Sequence, residues 1–138
     1  MPQNFTHKSQ EAIQNAAKIA TENGQPQVEP PHLFAALLGQ EDGVVVSVLK
    51  KLNANLKETR DAAQGLVNAL PKQTGPQSGG GMGQIMLGQA MMYIFQNAGN
   101  EAKKMGDDFI SVEHLLLAFL TNKNPVSDAL SHQKIQYD

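Results

Sequence analysis

The chain contains an internal repeat, and this repeat limits its possible folds more than any other feature. Residues of the first third recur in the last third at a constant offset of 82 positions, as from Ala16 to Ala98, without an insertion. Two copies are fewer than a solenoid normally needs. The repeat therefore predicts one domain whose two copies bury each other's apolar faces across a pseudo-twofold axis. The other identical pairs are Ala20/Ala102, Gly24/Gly106, His32/His114, Leu33/Leu115, Ala36/Ala118 and Leu38/Leu120.

The spacing of apolar residues predicts an all-α fold built from two helical repeats. Thr6 is placed to cap a first helix that stops at Gly24, and its copy stops at Gly106. We expect a single domain over 1–138, with repeat one at 1–70, a linker at 71–83 and repeat two at 84–138. The predicted helices cover 6–23, 31–38, 44–52, 56–70, 87–105, 112–120 and 126–130, and short extended links cover 25–29 and 107–110.

The linker at 71–83 is rich in glycine, proline and polar residues, a composition typical of a flexible connector. Its glycines also suggest a phosphate-binding loop. Such a loop requires a lysine and a serine or threonine directly after its last glycine, whereas Gln84 and Ile85 follow Gly83. We therefore expect neither a nucleotide site nor ATPase activity in this chain.

Composition excludes several other classes of protein. The 138 residues suit one domain, and the absence of cysteine excludes disulfides and thiolate catalysis. A net charge of −2 without a basic stripe argues against a nucleic-acid partner. No apolar run approaches the roughly 20 residues that cross a bilayer, and the N-terminus lacks a signal-peptide pattern. The sequence predicts a cytoplasmic protein without a membrane partner.

No arrangement of residues predicts catalysis or metal binding. The chain has neither a Gly-x-Ser-x-Gly elbow nor a His-Glu-x-x-His helix. His32 and His114 occupy the same position of the two repeats, and no second ligand lies one helical turn away. A residue that both copies of a fold require is expected to serve packing or local hydrogen bonding. We expect no catalytic residue and no metal ligand.

Three stretches resemble the double Clp N-terminal domain of AAA+ unfoldases, and the resemblance covers essentially the whole chain. Two features, the Glu-Pro pair at 29–30 and Leu-Pro-Lys at 70–72, resemble the ClpB branch more than the ClpA and ClpC branches. The stretches are Phe-Thr at 5–6 with Lys-Ser-Gln-Glu-Ala at 8–12, Val-Glu-Pro-Pro-His-Leu at 28–33, and Asp-Asp-Phe-Ile-Ser-Val-Glu-His-Leu-Leu-Leu-Ala at 107–118.

The resemblance implies the substrate-binding domain of an ATP-dependent protein disaggregase. Its partners would be unfolded or aggregated polypeptides, the AAA+ modules of the same full-length protein and a possible adaptor protein. ATP and Mg²⁺ would bind only in those AAA+ modules, so no cofactor is expected in this chain. The isolated domain is expected to be a monomer and the full-length protein a hexamer. The alternative is a regulatory domain that docks an adaptor, as in the ClpA and ClpC branches.

Departures from the repeat symmetry indicate polar site residues. Thr6, Asp107 and Glu113 stand where the other copy has glycine, glutamine and proline, and the resemblance associates these three positions with substrate handling. The alternative for Thr6 and Glu113 is helix capping, with about 0.5 to 2 kcal/mol expected for the Thr6 cap. Asp107 lies in a link rather than in a first helical turn, which favours a functional role.

Apolar candidates complete the predicted substrate site. Flexible methionine side chains suit a surface that accepts unrelated apolar partners. Met92 and Met105 lie off the apolar line of their helix, whereas Met91 and Phe95 suit the core. Asn97 and Glu101 occupy positions where an apolar groove would favour leucine, and we expect the groove not to extend to them. The predicted substrate-binding residues are Phe5, Thr6, Met92, Met105, Asp107, Phe109 and Glu113.

Overall fold

The computed structural model describes residues 5–40, 43–52, 55–70, 86–121 and 126–127. The predicted all-α class is confirmed, and the helix boundaries differ from those expected by one or two residues. The predicted linker at 71–83 and most of the last predicted helix lie outside the described residues. In order, the elements are α1 His7–Glu22, β1 Gln27–Val28, α2 Pro30–Leu38, α3 Val44–Lys51, α4 Leu56–Ala69, β2 Met86–Leu87, α5 Gln89–Lys104 and α6 Val112–Thr121.

The first helix of each repeat ends in the same way. Gly24 after α1 and Gly106 after α5 have φ angles of 68° and 74°, a conformation that glycine adopts without steric cost. The next amide then turns back onto its helix. The N–H of Gln25 donates to Ala20 at 2.9 Å, and the N–H of Asp107 donates to the equivalent carbonyl, at 2.8 Å. Both predicted stop signals are confirmed.

Two short parallel pairings join the repeats. At the first junction, formed by Phe5, Thr6, Ile110 and Ser111, the Thr6 N–H donates to the Ile110 carbonyl at 3.0 Å. The second junction consists of the equivalent residues of the opposite repeats, Val28, Glu29, Leu87 and Gly88. There the Gly88 N–H donates to the Val28 carbonyl at 2.9 Å. Each repeat thus pairs its leading segment with the other's inter-helix link, as the predicted pseudo-twofold arrangement requires.

A single hydrophobic core contains residues of both repeats. Phe34 of α2 meets Phe119 of α6 edge to face, with ring centroids 5.8 Å apart. Leu33 and Leu115, which are equivalent in the repeat, are fully buried. Burial of a side chain of this size contributes about 1.5–3 kcal/mol. α2 packs mainly on α1 and α4, and α6 packs mainly on α5. The two helices also contact each other, so the core is continuous across the repeats.

Candidate functional site

Thr6 begins α1 and anchors it to the first junction. Its Oγ1 accepts the Ser9 N–H at 3.2 Å and donates to the Ser9 Oγ at 3.1 Å, so the predicted N-cap is confirmed. The Ser9 hydroxyl in turn donates to the carbonyl of Ile110 at 2.9 Å. Thr6 therefore holds the start of repeat one against the link of repeat two.

Asp107 has a structural partner that the sequence analysis missed. The Nδ1 of His114 accepts the Ser111 N–H at 2.9 Å, so the ring proton resides on Nε2. That Nε2–H donates to the Asp107 Oδ2 at 3.0 Å. The histidine side chain is buried, whereas the side chain of Asp107 is 51% exposed. The carboxylate is thus fixed at the surface by a buried imidazole, with one oxygen free of that bond.

The equivalent histidine of repeat one makes the same backbone bond with a different side-chain partner. His32 Nδ1 accepts the Glu29 N–H at 2.9 Å, and its Nε2 lies 2.6 Å from Gln25 Oε1. The amide of Gln25 also donates to the Val67 carbonyl of α4 at 2.7 Å. A glutamine is needed there because it both accepts and donates, and this explains the Gln25/Asp107 asymmetry in physical terms.

Burial gives His32 a lower pKa than that of an exposed histidine. Its side chain has no exposed surface, and desolvation lowers its pKa from 6.5 to about 4. It is therefore neutral at pH 7 and suited to the two hydrogen bonds described. The expectation that His32 and His114 serve local hydrogen bonding is confirmed.

Ser111, His114 and Asp107 form a hydrogen-bonded series of the residue types found in catalytic triads. The Ser111 hydroxyl lies 3.0 Å from His114 Nδ1. However, Nδ1 has one lone pair, and the backbone N–H of the same serine already donates to it. Repeat one forms the same backbone bond without the serine or the aspartate. We interpret the series as a shared helix-start motif rather than a nucleophile with its base.

Two further carboxylates are exposed close to Asp107 in the sequence. Asp108 follows it in the α5–α6 link, and Glu113 lies in the first turn of α6; both are exposed. Within the described part of the chain, neither side chain takes part in a hydrogen bond or ion pair. Acidic side chains near a helix N-terminus are stabilised by the helix dipole by about 0.3–1 kcal/mol. Glu113 combines this modest structural contribution with full access to a partner.

Apolar side chains accompany these acids. Phe109 and Met105 are 54% and 56% exposed. Phe5 is half-buried, and its ring meets Phe95 of α5 edge to face at a centroid distance of 5.3 Å. The backbone pairing of Phe5 with Ile110 places it beside the link that carries Phe109. The first junction thus brings an apolar surface next to the acidic one.

Met92 does not belong to this cluster. It is 56% exposed, as expected, but it lies near the start of α5 while Met105 caps its end. Thirteen residues of helix separate the two, which corresponds to about 20 Å along the axis. The two methionines therefore lie near opposite ends of α5, and the grouping of both in one substrate site stays a prediction. Met91 is buried in the core and Phe95 packs at its edge, as predicted.

Asn97 and Glu101 bear on how far the site extends along α5. Glu101 is 4% exposed, and its Oε2 lies 3.4 Å from Lys104 Nζ. Asn97 is half-buried. Neither residue offers an exposed apolar surface, in agreement with the expected limit of the groove.

Tyr93 is an exposed aromatic residue that the sequence analysis missed. Its side chain is 54% exposed on α5, next to Met92. The repeat alignment offers a signal, since position 93 corresponds to the polar Glu11, which is also exposed.

No group of three or more metal-ligating side chains occurs among the described residues. In the same part of the chain, no helix has the length and apolar character to cross a membrane.

The fold is a helical domain of two repeats. The leading segment of each repeat pairs with the other repeat, and in each repeat a buried histidine accepts a backbone N–H at the start of a helix. The chain belongs to the Clp repeat (R) N-terminal domain family, which it matches over residues 4–133. This confirms the resemblance on which the sequence interpretation rested.

Several chaperone proteins named ClpB are similar to this chain. That of Bacillus cereus strain ATCC 14579 is 35% identical over 134 residues, which cover 97% of this chain and 15% of the relative. That of Gloeobacter violaceus is 37% identical over 118 residues, covering 86% of this chain and 13% of the relative. The chain therefore spans only about 15% of the length of such relatives.

Solved structures of similar fold include other N-terminal domains. The Hsp104 N-terminal domain from Candida albicans superposes with a TM-score of 0.82 at 18% identity, covering 99% of this chain and 85% of that one. The N-terminal domain of the ClpV1 ATPase from E. coli has a TM-score of 0.81 at 19% identity, covering 97% and 79%. At these identities the likeness establishes the fold alone.

Proposed function

We propose that this domain captures exposed apolar segments of misfolded or aggregated polypeptides and delivers them to the AAA+ modules of a ClpB-type disaggregase. The proposed contact surface lies at the first junction and consists of the exposed residues around the link that carries Ile110, which are Met105, Asp107, Phe109 and Glu113. The observation that carries the proposal is that Phe109, Met105 and the carboxylates of Asp107 and Glu113 are all exposed within one short stretch of the chain, from the end of α5 to the first turn of α6. Apolar side chains supply most of the affinity of such a surface, while charges at its rim orient the partner.

The structure supports weak, reversible capture. Phe109 lies in the short link between α5 and α6, Met105 lies at the end of α5, and both side chains are more than half exposed. A domain that passes its client onward works with dissociation constants of micromolar to millimolar size, roughly −8 to −4 kcal/mol. A few exposed apolar side chains are sufficient for affinities in this range.

Docking of a dedicated adaptor is the second candidate. The hydrogen bond from His114 fixes the carboxylate of Asp107, and a charge at a fixed position suits recognition of a folded partner. Both candidates use the first junction, but they differ in specificity. Several unrelated unfolded polypeptides bind with similar weak affinity if the first candidate is right, and none of them binds if the second is.

The test is a titration of the domain against a fluorescently labelled protein kept unfolded by reduction and carboxymethylation. Phe109→Ser is expected to weaken binding several-fold. Leu52→Ser is the matched control, because Leu52 is 53% exposed at the end of α3 and is not one of the residues of the proposed contact surface. Equal binding by the two variants would contradict the proposed surface. Absence of binding by the unmodified domain would contradict the proposed function itself.

A further inference from the structure

The outer edge of β2 presents two unpaired backbone groups, the N–H and the C=O of Leu87. The Val28 carbonyl of β1 accepts the Gly88 N–H at 2.9 Å, in register with the Val28–Leu87 pairing. Successive residues of a strand direct their backbone groups to opposite sides of the ladder. The N–H and C=O of Leu87 therefore point away from β1. Within the described part of the chain, no residue forms a hydrogen bond with either group.

The first junction closes the equivalent edge. There the residue in the place of Leu87 is Phe5, and its carbonyl accepts the side-chain amide of Gln10 at 2.9 Å. The residue equivalent to Gln10 in repeat two is Met92, whose thioether has no hydrogen to donate. This difference between the repeats leaves the Phe5 carbonyl paired and the Leu87 carbonyl without an equivalent side-chain donor.

Apolar side chains flank the open edge. Leu87 itself is 39% exposed, and Met92 and Tyr93 in the first turns of α5 are 56% and 54% exposed. An unpaired strand edge beside exposed apolar side chains is a template for pairing with another extended chain. The occupant must offer backbone donors and acceptors at strand spacing. A helix does not, because its own hydrogen bonds satisfy its backbone.

We propose that the outer edge of Leu87 pairs with an extended apolar segment of a non-native polypeptide, which adds as a strand beside β2. This second contact site rests on the proposed function for its type of client, but its residues are separate from the first junction. Recognition through the backbone depends little on sequence, whereas Met92 and Tyr93 favour apolar side chains on the bound segment. The repeat asymmetry at Gln10 and Met92 thus confines strand addition to one of two equivalent edges.

The test uses two synthetic peptides of the same alternating valine and threonine sequence with a lysine at each end. One has ordinary amides, and the other is N-methylated at alternate residues, so that the donors on one edge are lost. Met92→Gln gives repeat two the same side-chain amide that Gln10 provides in repeat one, so that it can donate to the Leu87 carbonyl as Gln10 donates to the Phe5 carbonyl. We expect it to weaken binding of the ordinary peptide about two- to tenfold, the factor that one net hydrogen bond contributes, and to leave the weaker binding of the methylated peptide unchanged.

Two control variants separate edge closure from loss of apolar surface. Met92→Leu keeps an apolar side chain without a donor, so any change in affinity is expected to be the same for the two peptides. Gln10→Met opens the edge at Phe5 and is expected not to weaken binding. If Met92→Gln affects both peptides equally, or if N-methylation changes nothing, strand addition at Leu87 is wrong.

Amide hydrogen exchange gives a direct readout at the same residue. The Leu87 N–H is expected to exchange rapidly in the free domain and to be protected by the ordinary peptide. Protection already present in the free domain would show that the edge is closed and would overturn the proposal. Capture of the carboxymethylated unfolded protein without protection of Leu87 would overturn this second site while leaving the proposed function intact.

Discussion

Asp107 accepts a hydrogen bond from the Nε2–H of His114 across 3.0 Å, and this bond joins an exposed acid to a buried imidazole. The acid has two separable properties as a result. Its oxygen completes the hydrogen bonding of His114, and its charge faces solvent beside Phe109. Substitutions that retain one property and remove the other distinguish support of the fold from contact with a partner.

Asp107→Ala is expected to destabilise the domain by about 1 kcal/mol, because the buried His114 donor loses its acceptor. The expected loss is at the low end of the range for unsatisfied buried groups, since water reaches the half-exposed position. Asp107→Asn retains an acceptor oxygen and is expected to be close to neutral. Urea unfolding of both variants measures the difference, and equal midpoints would contradict a role of this bond in stability.

The charge of the acidic surface is tested by the double variant Asp107→Asn with Glu113→Gln. Its capture of the carboxymethylated unfolded protein is expected to weaken at low salt, and the difference from the unmodified domain is expected to shrink as salt screens the charges. Melting temperatures of the same samples provide the control. A variant that melts several degrees lower but binds as before would show that the two acids serve the fold only.

Gly88 lies close to the carboxylate of Glu29. A Cβ atom at position 88 would lie 2.6 Å from Glu29 Cδ, far inside van der Waals contact. Gly88→Ala is therefore expected to displace the flexible end of the Glu29 side chain, and to destabilise the second junction by less than about 1–3 kcal/mol, the usual cost of overpacking a core. Combining it with Glu29→Ala is expected to recover part of this loss in a double-mutant cycle. Strictly additive free energies of unfolding would contradict the contact.

We expect the stability of the domain to fall in acid because His32 is buried. Burial lowers its folded-state pKa to about 4, so between pH 4 and 6.5 the unfolded chain binds more protons than the folded one. Stability therefore rises with pH across this window, by up to about 3 kcal/mol in total. Glu29 acts in the opposite direction, because burial raises its pKa above 4.5 and its contribution is lost as pH rises through the folded-state value.

Glu29→Gln removes this opposing contribution and is expected to steepen the loss of stability on acidification. Urea midpoints between pH 7 and pH 4.5 measure the slope. An NMR titration of the His32 ring provides the assignment, with no midpoint expected near 6.5. A midpoint near that value would contradict the burial argument.

The repeat made most of the fold predictable, because helix stops, links and core faces all recur at the same offset. The pseudo-twofold expectation predicted contact between the repeats, but it did not predict which backbone segments would pair, such as Phe5 with Ile110. Strand pairing depends on three-dimensional closeness, which the helical period does not specify. The link from Asp107 to His114 was missed for a related reason, since residues seven apart face each other here only because Gly106 turns the chain.

The site was predictable where a side chain acts locally and less so where several elements meet. The Thr6 cap depends on its own helix start and was found from the sequence. The grouping of Met92 with Met105 did not consider the length of α5, which places the two residues near opposite ends of that helix. The open edge at Leu87 required both repeats to be compared after their backbone pairing was known.

Amide chemical shifts of the domain with a captured client test directly whether non-native polypeptides bind at the first junction. The carboxymethylated unfolded protein is added to the isotope-labelled domain, and the affected amides are assigned. The proposal of capture at the first junction predicts the largest changes at Asp107, Phe109 and Glu113. Changes confined to the exposed face of α3 around Val44 and Leu52, with the first junction unaffected, would contradict it.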